Sequence, residues 1–276
     1  MKGENTLMLL DNGSLEPGAV LSLVRIAERL SIALGRKVHP VSLLHSHKIA
    51  PEKLGGLQAW TFERFIRSQY EQGRTRFGII PLFFGPSGAL TDYLPGRISE
   101  LKRKSPALEI SLAPCLADST REGDRRLAEL LEIQLRRLEP QRRDLDASVI
   151  LVDHGSPKRE VTAVRDHLAV LLGERLGKSV HQVIAASMER RSEAGYDFNE
   201  PLLEKALADI ASGERRVILS LLFLSPGRHA GPGGDIHQIC EKAKKRRPEL
   251  ELLLAPLLGE APELIPLLVE RAKTLL

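Results

Sequence analysis

Apolar residues in the second half of the chain alternate between short solid runs and spaced ones. "SVILVD" (148–153) holds four consecutive aliphatic side chains, three of them β-branched. A run without polar alternation predicts a strand buried on both faces, as in a parallel sheet. Beyond it the spacing changes. Val161, Val164, Leu168, Leu171 and Leu172 share one face of a helix, and Gly177 ends it. The same alternation continues as a strand over 179–187, a helix over 201–211 and a strand over 215–226. A helix over 233–247, a strand over 250–256 and a last helix over 262–276 complete it. Strand and helix in alternation predict an α/β fold with a doubly wound parallel sheet.

The first half repeats this pattern. Asp11-Asn12-Gly13-Ser14 lies against Asp153-His154-Gly155-Ser156, a shift of 142 positions from 11 to 153. The same shift carries Gly35 to Gly177, Val38-His39 to Val180-His181, and "PALEISLAPCL" (106–116) to "PELELLLAPLL" (248–258). "PLFFGP" (81–86) meets "LLFLSP" (221–226) at a shift of 140. Two tandem units are expected, 1–139 and 143–276, related by a pseudo-twofold axis. The polar segment "EPQRRDLD" (139–146) is the expected joint.

Composition narrows the function classes. At 276 residues there is room for two domains. Hydrophobic residues at 42% argue against disorder, and aromatics at 4% argue against base stacking on nucleic acid. A net charge of +4 suits an acidic ligand. Two thiols, Cys115 and Cys240, make neither a metal cluster nor a disulfide framework. The opening "MKGENTLMLLDNGS" has an apolar run too short for a signal peptide, and no run approaches bilayer length. A cytoplasmic protein with no membrane or nucleic-acid partner is expected. A monomer suffices for a tandem repeat, and a homodimer is left open.

Chemistry in such sheets collects beyond the carboxyl ends of the strands. His154, Glu189 and His229 each follow a predicted strand and should share one rim. Imidazoles and a carboxylate there could hold a divalent metal or move protons. Any one of them could equally be a hydrogen-bonded loop residue. The repeat weighs against that, because the first copy has Asn12 for His154 and Ala89 for His229, with His47 aligned to Glu189. "GSPKRE" adds Ser156, Lys158 and Arg159, and "SPGRHAGPGGD" (225–235) adds Arg228, as anion-binding groups. Neither stretch has dinucleotide or P-loop spacing. His45 and His47 could form a second metal clasp, but their alternation also suits an ordinary strand. "KAKKRRPE" (242–249) could contact nucleic acid, though cations ending a helix read more simply as dipole partners.

Together, "LVDHGSP", "SMER" and "LLFLSPGRHAGPGGDI" resemble the class II tetrapyrrole chelatases of the sirohydrochlorin cobaltochelatase and ferrochelatase group, in their long two-unit form. The resemblance implies insertion of Co²⁺, Fe²⁺ or Ni²⁺ into sirohydrochlorin or a related metal-free tetrapyrrole. His154, His229 and Glu189 would bind the metal and take protons. Ser156, Lys158, Arg159 and Arg228 would receive the carboxylates of the acidic substrate. The ion would be a co-substrate, and no permanent cofactor is implied. The two imidazoles are expected to face one another across an opening wide enough for a macrocycle. The alternative is a non-catalytic carrier of metal or tetrapyrrole. Long-form relatives commonly keep the histidines in the first half, whereas here the second half has them.

Overall fold

The solid apolar runs are strands and the spaced ones are helices. The structure, a computed structural model, describes residues 4–117 and 121–276, with side chains from 124 onward in the helix that starts at Arg121. The first three residues of the opening stretch read above lie outside the described residues. In chain order the elements are β1 (Thr6–Asp11), α1 (Pro17–Leu34), β2 (Val38–Ser42), α2 (Phe62–Glu71), β3 (Arg76–Pro81), α3 (Leu94–Lys104) and β4 (Glu109–Leu112). Then come α4 (Arg121–Leu138), β5 (Ser148–Asp153), α5 (Arg159–Leu176), β6 (Gln182–Ser187), α6 (Leu203–Asp209) and β7 (Arg216–Leu221). α7 (Asp235–Arg246), β8 (Glu251–Leu254) and α8 (Leu264–Ala272) follow.

Two four-stranded parallel sheets result, ordered β2-β1-β3-β4 and β6-β5-β7-β8, each flanked by helices. All six residues of β5 and of β7 are buried, as their lack of polar alternation requires. Among the described residues no helix is long and apolar enough to cross a membrane. The basic stretches fall where the dipole favours cations: Lys102, Arg103 and Lys104 in the last turn of α3, and Lys244, Lys245 and Arg246 in the last turn of α7.

Packing divides the chain differently from the repeat. One compact unit is Met1–Asp118 with Pro262–Leu276, and the other is Ser119–Ala261. The last helix of each repeat has been exchanged. In the second unit α4 packs on α5 and β7, and its buried Gln134 donates to the carbonyl of Leu257 at 3.1 Å. In the first unit α8 packs on α1 and β3, and its buried Arg271 donates to the carbonyls of Cys115 (2.9 Å) and Leu116 (3.0 Å). Similarity records descent, whereas unit membership records which apolar stripe covers which sheet. The expected joint at 139–146 therefore lies inside the second unit. There Leu145 is buried, and Glu139 pairs with Arg216.

Register also departs from the sequence alignment. The helices α1 and α5 do match at a shift of 142. The second copy then inserts a tight 3₁₀ turn, Gly177–Ser179, where the first goes straight from Gly35 into its strand. Asp11 pairs with Ser42 and Asp153 with Ser187, so these second strands match at a shift of 145. His181 thus has no equivalence with His39, and the residue opposite Glu189 is Leu44, not His47. On α5 the buried face is Thr162, Arg165, Leu168, Ala169, Leu172 and Leu176. It is rotated from the expected stripe, because a polar group is needed beneath it.

The exchange has a direct consequence. A fragment spanning 119–261 is expected to melt in one cooperative transition. A fragment spanning 143–276 lacks α4, leaves apolar α5 and β7 surface bare, and should aggregate. Solubility and calorimetry of the two fragments check this, and a well-folded 143–276 fragment would refute the assignment.

Candidate metal and substrate site

The site grows from the carboxyl end of β5. Asp153 is buried there, and its Oδ1 accepts the Gly155 N–H (3.1 Å) and the Ser187 hydroxyl. Beneath it Arg165, whose side chain is 1% exposed, lies 3.7 Å from the same oxygen. That guanidinium also donates to Ser187 Oγ, to the Asn199 carbonyl (3.1 Å) and to Asp166 Oδ1 (2.7 Å). Burial pushes the Asp153 carboxyl up, while Ser187 and Arg165 hold it down. The first unit keeps the aspartate and the serine but has Leu23 where Arg165 would stand. Burial, opposed by Ser42 but by no guanidinium, pushes Asp11 up to about 6. Its buried Oδ1 has no hydrogen-bond partner.

The turn after Asp153 sets the neighbours of His154. Gly155 has φ +92, and a side chain there would collide with the carbonyl oxygen of Glu189. Glycine alone permits this approach. The strand ladder therefore runs on past β5: Met188 N–H donates to the Asp153 carbonyl (2.8 Å) and Glu189 N–H to the His154 carbonyl (3.2 Å). Glu189 Oε1 ends 3.4 Å from His154 Nε2. Gly13 and Leu44 make the same close approach in the first unit, without the acid or the imidazole.

His229 sits in the loop between β7 and α7. Its glycines do more than open space. Side chains at Gly231 and Gly234 would strike the carbonyl oxygens of Gly227 and Arg228, so these two positions let the loop fold on itself. The carbonyls of Arg228 and His229 then accept the first amides of α7, from Asp235 (3.3 Å) and Ile236 (3.1 Å). That places Asp235 Oδ2 2.7 Å from His229 Nδ1. A carboxylate accepts, so Nδ1 carries the hydrogen and Nε2 presents a lone pair.

The two imidazoles meet rather than face across an opening. Their ring centroids are 4.6 Å apart at 65°. At that separation there is no opening between them for a macrocycle. The side chains of His154 and Glu189 remain 46% and 61% exposed, so both reach solvent. Among the described residues no three His, Cys, Asp or Glu side chains come together so that they could hold a metal ion, the expected set of His154, Glu189 and His229 included.

The expected anion-binding groups separate. Ser156 is clamped at its backbone by the buried Asn199, which accepts its N–H (2.9 Å) and donates to its carbonyl (2.9 Å). Its hydroxyl accepts the Lys158 N–H (3.1 Å) at the start of α5. The Arg159 guanidinium lies over the Phe198 ring, 4.6 Å from its centroid. Arg228 is exposed, 3.8 Å from Asp235 Oδ2. Sequence reasoning missed Arg165 and Asn199, and it gave Asp235 no role. Only Arg165 left a trace, as a cation on an otherwise apolar helix face.

Comparison with known proteins agrees with the fold. Residues 148–275 match the CbiX family model. SirB from Bacillus subtilis with Fe³⁺ has the same fold, with a TM-score of 0.71 and 16% identity over 98% of this chain and 95% of that one. The sirohydrochlorin chelatase SirB from Bacillus subtilis subspecies spizizenii in complex with cobalt gives 0.69 and 16%, covering 98% and 94%. CbiX, described as the terminal enzyme for biosynthesis of siroheme in denitrifying bacteria, gives 0.60 and 14%, covering 99% and 100%. No curated protein sequence matches the chain. The fold is that of the class II chelatases. More narrowly, the chain is CbiX- and SirB-like in fold, and over residues 148–275 it is similar to the CbiX family in sequence.

Two outcomes are expected. Gly155→Ala should push the Glu189 backbone off β5 and lower the melting temperature, whereas Gly213→Ala, with open space around it and no left-handed φ, should perturb the site far less. For Asp11, the unfolded chain ionises near 3.8 and the folded chain near 6. Stability therefore falls as pH rises from about 4 to 6, and the loss persists above. Asp11→Asn should stabilise by up to about 3 kcal/mol at pH 8 and by almost nothing at pH 3. Denaturant titration at the two pH values checks the sign.

Proposed function

We propose that the second unit inserts a divalent ion, Co²⁺, Fe²⁺ or Ni²⁺, into sirohydrochlorin or a related metal-free tetrapyrrole. The observation that carries this is the proton inventory at His154. Its Nδ1 faces the Gly155 carbonyl at 3.1 Å, and a carbonyl only accepts, so Nδ1 bears the hydrogen. In the neutral ring Nε2 is then a lone pair aimed at a carboxylate oxygen 3.4 Å away. Two electron-rich atoms so placed call for a cation between them, either a proton or a metal ion. With the His229 ring 4.6 Å from that of His154, these groups suit both cargo and chemistry.

As M²⁺ enters the ring, two pyrrole N–H groups each release a proton, and the charge balances. His154 and His229 are the bases on hand, with Asp235 stabilising the imidazolium that forms at His229. Glu189 shares the ion with His154. Few protein donors and an open face favour release to four ring nitrogens. Peripheral carboxylates would be met by Arg228 and the Lys158–Arg159 segment, with Ser156 held in place beside them. The repeat over 143–276 would carry the activity, and that over 1–139 would not, since it has Asn12, Leu44 and Ala89 at the three positions. Such a protein would work in the cytoplasm, where reduced tetrapyrrole and ferrous iron persist.

His154→Ala and His229→Ala are each expected to lower the insertion rate by at least about 100-fold, the scale of a lost general base. Asn12→Ala should change little. Absorbance change on mixing sirohydrochlorin with Co²⁺ reads the rate. Retained binding at the uncatalysed rate in the unmodified chain would assign a carrier instead.

A further inference from the structure

The unit without the histidine pair still carries a cavity at the corresponding end of its sheet. It encloses about 400 Å³ beyond β2, between the turn that carries His45 and His47 and the start of α2. Its lining is cationic: His45, His47, Lys48, Arg64 and Arg67, against one acid, Glu63. That acid is already taken by Arg67 at 3.5 Å and Arg97 at 3.4 Å. Among the described residues no carboxylate pairs with Lys48 or Arg64. They crowd His47 instead: burial first, then Arg64, Lys48 and His45, disfavour its protonated form. Apart from the half-buried His47 these cations are exposed to solvent, and their excess positive charge favours an anion among them.

Two local features point the same way. The buried Nδ1 of His47 has no hydrogen-bond partner, which is uncommon for an atom withdrawn from water. The first turn of α2 opens on this lining; its N-cap Thr61 makes no side-chain capping bond, and the acid of that turn, Glu63, is held by Arg67 and Arg97. His45 holds φ at +64, a conformation that non-glycine residues seldom adopt without a compensating contact. We infer that this cavity of the first unit binds a small, multiply charged oxyanion, carboxylate or phosphate, between Lys48, Arg64 and the His45–His47 turn. The inference uses first-unit residues alone and needs no metal insertion, so it stands or falls apart from the chelatase reading.

Titration calorimetry of the full chain with inorganic phosphate and with citrate, at low ionic strength, tests it. One saturable site is expected. The double variant Lys48→Ala, Arg64→Ala should weaken binding at least about tenfold, the scale of one charge-assisted contact. His154→Ala and Arg228→Ala should bind as the unmodified chain does. Tighter phosphate would name a phosphorylated ligand, and tighter citrate a polycarboxylate. Should the double variant misfold, the imidazole proton resonances of His45 and His47 in the unmodified chain serve as the second readout, and they should shift with the same midpoint. Absence of saturable binding of both anions, unchanged binding in a folded double variant, or unmoved histidine resonances would overturn the inference.

Discussion

A buried carboxylate must be answered, and in the second unit Arg165 answers it. Asp153 sits at the end of a strand whose every residue is buried, and the guanidinium 3.7 Å away is buried with it. Such a pair adds little net stability, because both charges leave water. What it contributes is direction. Ser187, Gly155 and Asn199 are all bonded to one member or the other, so the turn bearing His154 has one conformation. The Gly155 approach to Glu189 follows from that turn, and the imidazole–carboxylate contact follows from the approach.

The two units show what happens when this support is lost. Asp11, Ser42 and Gly13 persist in the first, and so does the collision that only glycine avoids. With Leu23 in place of the arginine, the aspartate is driven toward its neutral form. A turn meant to hold functional groups in fixed positions becomes a turn that only closes a strand. The same unit lacks both imidazoles and the acid. Its rim has instead gathered cations around a cavity, a different use of the same place in the fold.

His229 depends on a different device. The loop that carries it folds tightly because Gly231 and Gly234 have no side chains, and its carbonyls cap α7. Asp235 is thereby both the first residue of a helix and the group that fixes the tautomer of the imidazole. Backbone economy and proton placement are met by one arrangement.

Much of this was legible in the sequence. Solid and spaced apolar runs determined the strands and helices, since burial periodicity is a local property of the chain. Internal similarity determined that there are two units and that only one keeps His154 and His229. The tertiary structure decided what periodicity cannot encode. It turned α5 so that Arg165 lies beneath Asp153, because charge compensation acts between residues far apart in sequence. It shifted β6 by three residues, because the 3₁₀ turn after Gly177 absorbs an insertion that an ungapped comparison passes over. It assigned α4 and α8 to opposite units, because an apolar stripe is buried by whichever sheet it reaches, not by the repeat it came from.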